Sequence, residues 1–115
     1  MADFYWRPSC STCRDARRYV EERGADLTLR DLFKQPLSKE ELRTLLAGRP
    51  ASTIFSSRSP TVKKLGLDPT SLAEDQLLDL MAEHPTLIRR PLTVVSGQLI
   101  VGFDRPAYER QLTPR

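Results

Sequence analysis

Apolar and polar positions change period several times along this chain, and each change marks an element. Asp3-Phe4-Tyr5-Trp6 is a short aromatic run that predicts a strand, ended by Arg7-Pro8-Ser9. From Cys10 to about Arg23 the apolar residues Ala16, Tyr19 and Val20 recur at helical spacing, and Gly24 supplies the stop. Leu27-Thr28-Leu29-Arg30-Asp31 then alternates like a second strand. Strand, helix, strand is the βαβ unit of an α/β fold.

The middle of the chain is helical. Ser38-Lys39-Glu40-Glu41 is a capping box, in which the serine serves an orphan amide and Glu41 reaches back. It opens a helix carrying Leu42, Leu45 and Leu46, closed by Gly48 and Pro50. Residues 51–70 are rich in hydroxyls and predict one short helix within irregular chain. Ser71-Leu72-Ala73-Glu74 reads as a second capping box, followed by Leu77, Leu78, Leu80 and Met81, with His84-Pro85 as the stop. Beyond that point the pattern is β-rich. Leu92-Thr93-Val94-Val95 and Leu99-Ile100-Val101-Gly102 predict a hairpin joined by Ser96-Gly97-Gln98, and a last helix starts near Pro106 and holds Tyr108 and Leu112. The expected architecture is therefore α/β, a thioredoxin-like order with a helical insertion, about residues 37–84, between the βαβ and ββα halves of one domain spanning residues 1–115.

Composition narrows the class without naming a function. A length of 115 residues suits one hydrophobic core, and a hydrophobic fraction of 39% with 29% charged residues suits a globular domain. Lysine and arginine number 18 against 15 acids, so the formal charge is +3. That mild excess does not call for nucleic acid but favours oxyanions or an acidic partner. No apolar run reaches the length of a membrane span and residues 1–20 lack a signal-peptide stretch, so the expected location is cytoplasmic, with no membrane partner.

The chemistry is concentrated in Cys10-Ser11-Thr12-Cys13. In a reducing compartment such a pair reads as catalytic or redox-sensing. Following a strand and a Pro-Ser turn, Cys10 falls at the start of a helix, where unpaired amides and the helix dipole favour a thiolate. Arg14 lies one turn on, and Arg7, Arg17 and Arg18 are near in sequence, so all four are candidates to strengthen that field. Cys13 falls on the same helical face, within reach of a disulfide. Cys10 is then the attacking thiol and Cys13 the resolving one. The alternatives are two small buried hydrophobes or a zinc site, and for zinc two cysteines and the single His84 leave a tetrahedral shell short of a ligand. His84 reads as a helix end. Ser9, Ser11 and Thr12 offer hydroxyls to the thiolate or to an oxyanion.

Trp6-Arg7-Pro8-Ser9-Cys10-Ser11-Thr12-Cys13-Arg14-Asp15-Ala16 resembles the N-terminal signature of the arsenate reductase/Spx family. Leu37-Ser38-Lys39-Glu40-Glu41-Leu42, Ser57-Arg58-Ser59 and Glu83-His84-Pro85-Thr86-Leu87-Ile88-Arg89-Arg90-Pro91-Leu92 resemble its later stretches in the same order. The resemblance implies a thioredoxin-like fold with Pro91 as its cis-proline. It implies arsenate reduction in which Cys10 attacks, while Arg58 and Arg90 hold the oxyanion as guanidinium forks suit it. Ser9 and Thr12 are secondary contacts, and Arg89 either assists or faces water. No metal or cofactor is expected. The electron donor is an external thiol, glutathione with glutaredoxin or thioredoxin, and the protein is expected to be a monomer.

Two departures from the glutathione-linked reductases bear on this expectation. Cys13 stands where they commonly have serine, which allows an internal disulfide. Their third arginine, in the second hairpin strand, falls here on Gly102-Phe103, with Arg105 two positions beyond. The rival within the family is the Spx-type regulator, which binds the C-terminal domain of the RNA polymerase α subunit and uses the disulfide as a switch. At the position of a glycine that serves that interface, this chain has Pro50, and it ends soon after the last helix without those regulators' longer tail.

Overall fold

A computed structural model describes residues 2–112. The chain divides into two compact units: Met1–Gln35 with Arg90–Arg115, and Pro36–Arg89.

In the first unit, β1 (Ala2–Trp6) leads to α1 (Ser11–Glu22) and β2 (Leu27–Asp31); after the second unit, β3 (Leu92–Val95), β4 (Gln98–Val101) and α5 (Arg105–Leu112) complete it. The four strands form one sheet in the order β2-β1-β3-β4. β1 runs parallel to β2 and antiparallel to β3, and β3 runs antiparallel to β4, so the α/β, thioredoxin-like expectation holds. Alternation along β1 buries Ala2, Phe4 and Trp6 while Asp3 faces out. Those residues pack with Cys13, Ala16 and Val20 of α1, with Val95 and Ile100 of the hairpin, and with Ala107 and Tyr108 of α5. Each large apolar side chain so buried contributes about 1.5–3 kcal/mol relative to exposure. The Tyr108 hydroxyl lies inside this core and is satisfied by Thr93 Oγ1 at 2.9 Å and by the Gly102 carbonyl at 3.3 Å.

The second unit holds α2 (Lys39–Leu46), α3 (Pro60–Lys64) and α4 (Glu74–Glu83), with three single 3₁₀ turns at Ala51–Thr53, Pro69–Ser71 and Pro85–Leu87. Leu42 and Leu46 of α2 and Leu77, Leu78 and Met81 of α4 are buried. The Ser38 capping box forms as expected: Glu41 N–H donates to Ser38 Oγ at 3.1 Å, and Ser38 N–H to Glu41 Oε1 at 3.0 Å. Ser38→Ala is expected to lower unfolding stability by about 1 kcal/mol, read as a shift in the urea midpoint; an unchanged midpoint would contradict the cap's contribution.

Three expectations are corrected. Ser71 does not cap α4. It closes the turn Pro69–Ser71, its hydroxyl donating to the Asp68 carbonyl at 3.0 Å, and the helix starts after Ala73. Alanine has no side-chain acceptor, so only half a box forms, with Ala73 N–H donating to Gln76 Oε1 at 2.8 Å. Glu74 instead accepts the Ala51 amide at 2.6 Å and anchors the turn Ala51–Thr53. The hairpin is one residue tighter than expected: Ser96 and Gly97 have φ of 50° and 77°, the two positive values of a two-residue turn, and Gln98 belongs to β4. The stretch from Ala51 to Ser71, where one short helix was expected over residues 51–70, holds two of the 3₁₀ turns as well as the short helix α3. None of the helices among the described residues is long and apolar enough to cross a membrane.

Candidate functional site

The site is built where β1 ends. Arg7-Pro8-Ser9 turns the chain, with Cys10 N–H donating to the Arg7 carbonyl at 3.0 Å. Cys10 then takes extended angles, φ −85° and ψ 119°, and becomes the N-cap of α1. An N-cap side chain faces the unpaired amides of the first turn. Here the acceptor is sulfur: Cys13 N–H donates to Cys10 Sγ at 3.4 Å.

Both cysteines are free thiols, and their surroundings differ. Cys10 is partly exposed, whereas Cys13 is wholly buried in the first unit's core. Burial pushes the Cys10 thiol up, but the Cys13 S–H and N–H, the positive charge of Arg90 and the Thr12 N–H together outweigh it and leave the pKa below its ordinary value of 9.0. Burial is also the largest influence on Cys13, and there it prevails. The S–H bond to Cys10 and the Cys10 charge add to it, against the Arg7 backbone N–H and the Arg90 charge, so the thiol is pushed up to about 12. One sulfur is thus held toward the thiolate and its neighbour held as a thiol.

The arginines expected around this pair separate into groups. Among them, Arg90 is the one whose charge acts on Cys10, and its peptide bond to Pro91 is cis, as the resemblance implied. Arg14 is turned back onto the Pro8 carbonyl at 2.9 Å. Arg17 pairs with Glu21 at 3.3 Å and lies 5.0 Å from the Trp6 ring centroid, and Arg18 lies 3.9 Å from Asp15. Arg105 stacks on Tyr19 and Phe103 at 5.7 and 5.1 Å, in a cluster where Tyr19 and Arg23 bind Glu109, so it serves the α1–α5 contact at the far end of α1 from Cys10. Thr12 acts through its amide, and the side chains of Ser9 and Thr12 face outward.

Arg58 belongs to the second unit. Ser56 N–H donates to the Leu87 carbonyl at 2.7 Å and Arg89 N–H to the Ile54 carbonyl at 2.8 Å, around a bridge between Phe55 and Ile88. Ser59 N–H then closes a turn onto the Ser56 carbonyl at 3.2 Å, with Arg58 inside the turn. The pairing brings Arg58 and Arg89 to one polar cavity of about 470 Å³, shared with Ser52, Phe55, Ser56 and Ser57. Neither guanidinium is ion-paired among the described residues.

Sequence reasoning missed Phe33, which follows β2. Its ring lies under two guanidiniums, those of Arg7 and Arg90, at 4.0 and 5.3 Å. No spacing rule points to a ring that meets partners so distant in sequence.

The profile of the ArsC family matches residues 5–111. The global transcriptional regulator Spx of Listeria innocua is 37% identical over 117 aligned positions, covering 100% of this chain and 89% of that protein. The solved structure of the YffB protein superposes with a TM-score of 0.87 at 27% identity, covering 98% of this chain and all of that one. An arsenate reductase from Vibrio cholerae gives a TM-score of 0.81 at 29% identity, covering 96% of this chain and 94% of its own. With the family profile spanning both sheet halves and the helices between them, and the cysteine pair at the start of α1, this chain is a member of the ArsC family.

Proposed function

We propose that the protein is a cytoplasmic thiol oxidoreductase that reduces arsenate to arsenite. The observation that carries this reading is the inequality of the two thiols: Cys10 is held toward the thiolate at a helix start, with Cys13 protonated and buried three residues on.

In the first step, Cys10 Sγ attacks the arsenic(V) centre, a sulfur–arsenic bond forms, and one oxygen leaves as water, carrying the proton of the arsenate dianion and one taken from solvent. The Arg90 guanidinium offsets the charge that the oxyanion brings toward the thiolate. Attachment to arsenic removes the negative charge from Cys10, and with it two of the influences that keep Cys13 protonated. Cys13 then attacks Cys10 Sγ. The sulfur–arsenic bond breaks with its electron pair on arsenic, which leaves as arsenite carrying the Cys13 proton, and a Cys10–Cys13 disulfide remains. Thioredoxin, or glutathione with glutaredoxin, returns the two electrons. Arg58 keeps in this proposal the oxyanion-binding role that the family resemblance gives it.

A second reading is favoured by the relative at 37% identity, a global transcriptional regulator. In it the same disulfide is a switch and the partner is the C-terminal domain of the RNA polymerase α subunit. One experiment separates the two: arsenate-dependent NADPH oxidation with thioredoxin and its reductase, repeated with glutathione and glutaredoxin, beside a binding titration of the α-subunit domain. Turnover with either donor is the expected result. Absence of turnover with both, together with tight and redox-dependent binding of the α-subunit domain, would replace the enzyme by the regulator.

A further inference from the structure

Two positive charges share one aromatic ring in the first unit. Arg7 Cζ lies 4.0 Å from the centroid of Phe33 and Arg90 Cζ lies 5.3 Å from the same centroid, both within the range in which a ring face attracts a cation. The ring is held by its backbone. Phe33 N–H donates to Asp31 Oδ1 at 2.9 Å, Lys34 N–H donates to the same oxygen at 3.3 Å, and Gln35 N–H donates to the Asp31 carbonyl at 2.8 Å. Leu32, fully buried, ties this loop to the end of β1 through its N–H and the Trp6 carbonyl at 2.9 Å.

Both arginines are anchored at their own backbone as well. The Arg7 carbonyl accepts from Cys10 N–H at 3.0 Å. Arg90 precedes the buried Pro91, whose carbonyl accepts from Gly102 N–H at 2.8 Å. The Arg7 guanidinium, its Cζ 4.0 Å from the ring centroid, keeps its N–H donors available for an oxyanion.

The two cations differ in what they face. The charge of Arg90 acts on the Cys10 sulfur. Beyond the Phe33 ring, the Arg7 guanidinium makes no hydrogen bond or ion pair among the described residues. Two like charges held on one anchored ring repel, and an anion bound by Arg7 relieves the repulsion.

We propose that Arg7, seated on the Phe33 ring that Arg90 also meets, is an additional oxyanion-binding residue of the Cys10 site, and that Phe33 is the positioning residue for both guanidiniums. The ligand class is a tetrahedral dianion, arsenate or its isostere phosphate. Arg90 serves the sulfur and the oxygens nearest it, and Arg7 serves the oxygens farther out. This inference rests on the oxyanion reading given above.

The test is alkylation of Cys10 by iodoacetamide, followed across pH and across concentrations of inorganic phosphate, which thiols do not reduce. The full-length wild type is compared with Arg7→Gln, Arg90→Gln, Phe33→Leu and Phe33→Tyr. In Arg7→Gln the phosphate concentration for half-protection is expected to rise about tenfold, the loss of one charge-assisted fork, with the apparent thiol pKa of Cys10 unchanged. Arg90→Gln and Phe33→Leu are expected to weaken protection and raise that pKa together, and Phe33→Tyr, which keeps the ring, to restore both. Equal protection of wild type and Arg7→Gln would overturn the role of Arg7 alone. Phe33→Leu with wild-type pKa and protection would overturn that of Phe33. A wild type that phosphate does not protect would remove the oxyanion reading itself, and Arg7 with it.

Discussion

Cys10→Ser is expected to lose more than about a thousandfold of arsenate-dependent turnover while the protein stays folded. The two halves of that expectation have separate causes. Serine is among the preferred N-cap residues, so the first turn of α1 keeps an acceptor for the Cys13 amide and the helix keeps its start. What disappears is a nucleophile that is ionised near neutral pH, since a hydroxyl in the same field stays protonated. Cys13 does not take over the attack, because it is wholly buried and its thiol is pushed up to about 12. Matched circular dichroism and thermal unfolding curves, set beside the NADPH-coupled assay, check both halves. Retained activity in a folded variant would place the nucleophile elsewhere.

The second large effect is expected in Cys13→Ser, and it depends on the donor. Serine keeps an O–H donor and a backbone N–H for the Cys10 sulfur, so the thiolate remains favoured and Cys10 alkylation by iodoacetamide continues below its ordinary pKa of 9.0. The sign follows from the lowered pKa. A thiolate favoured by its surroundings stays ionised as pH falls until the lowered pKa is reached, so the alkylation midpoint lies below 9.0 in the wild type and in this variant. With the second sulfur gone, however, no internal disulfide forms. Turnover supported by thioredoxin is expected to fall at least about a hundredfold, an order of magnitude set by replacing a tethered thiol with an external one. Glutathione with glutaredoxin attacks the adduct from outside and is expected to lose much less. Equal loss with both donors would mean that Cys13 supports the fold or the thiolate and does not resolve the adduct.

Much of this arrangement was legible in the chain because it is local. The strand Asp3–Trp6, the turn Arg7-Pro8-Ser9 and the cysteine spacing place Cys10 at a helix start by short-range rules alone, as Ser38 and Glu41 place α2. Local rules also misled. Ser71 and Glu74 have the spacing of a cap, but Pro69 commits Ser71 to a 3₁₀ turn and the Ala51 amide recruits Glu74. The depth of Cys13 was hidden because its burial comes from residues of the sheet and of α5 that its own helix pattern does not contain. For the same reason the arginines nearest in sequence, Arg14, Arg17 and Arg18, were candidates for a role that falls to Arg90, which the sheet topology delivers through β3. Arg105 was read by its position along the chain, whereas two aromatic rings decide where its guanidinium rests.

In the proposed reaction, Cys10 and Cys13 together pass two electrons to an arsenic(V) oxyanion. A single-turnover reaction tests it most directly: reduced protein and excess arsenate are mixed without any external thiol, quenched in acid and examined by mass spectrometry, with arsenite measured in the same sample. The expected result is about one arsenite per chain and the loss of two hydrogen masses, mapped by proteolysis to a Cys10–Cys13 disulfide. Two intact thiols and no arsenite after prolonged incubation would contradict it.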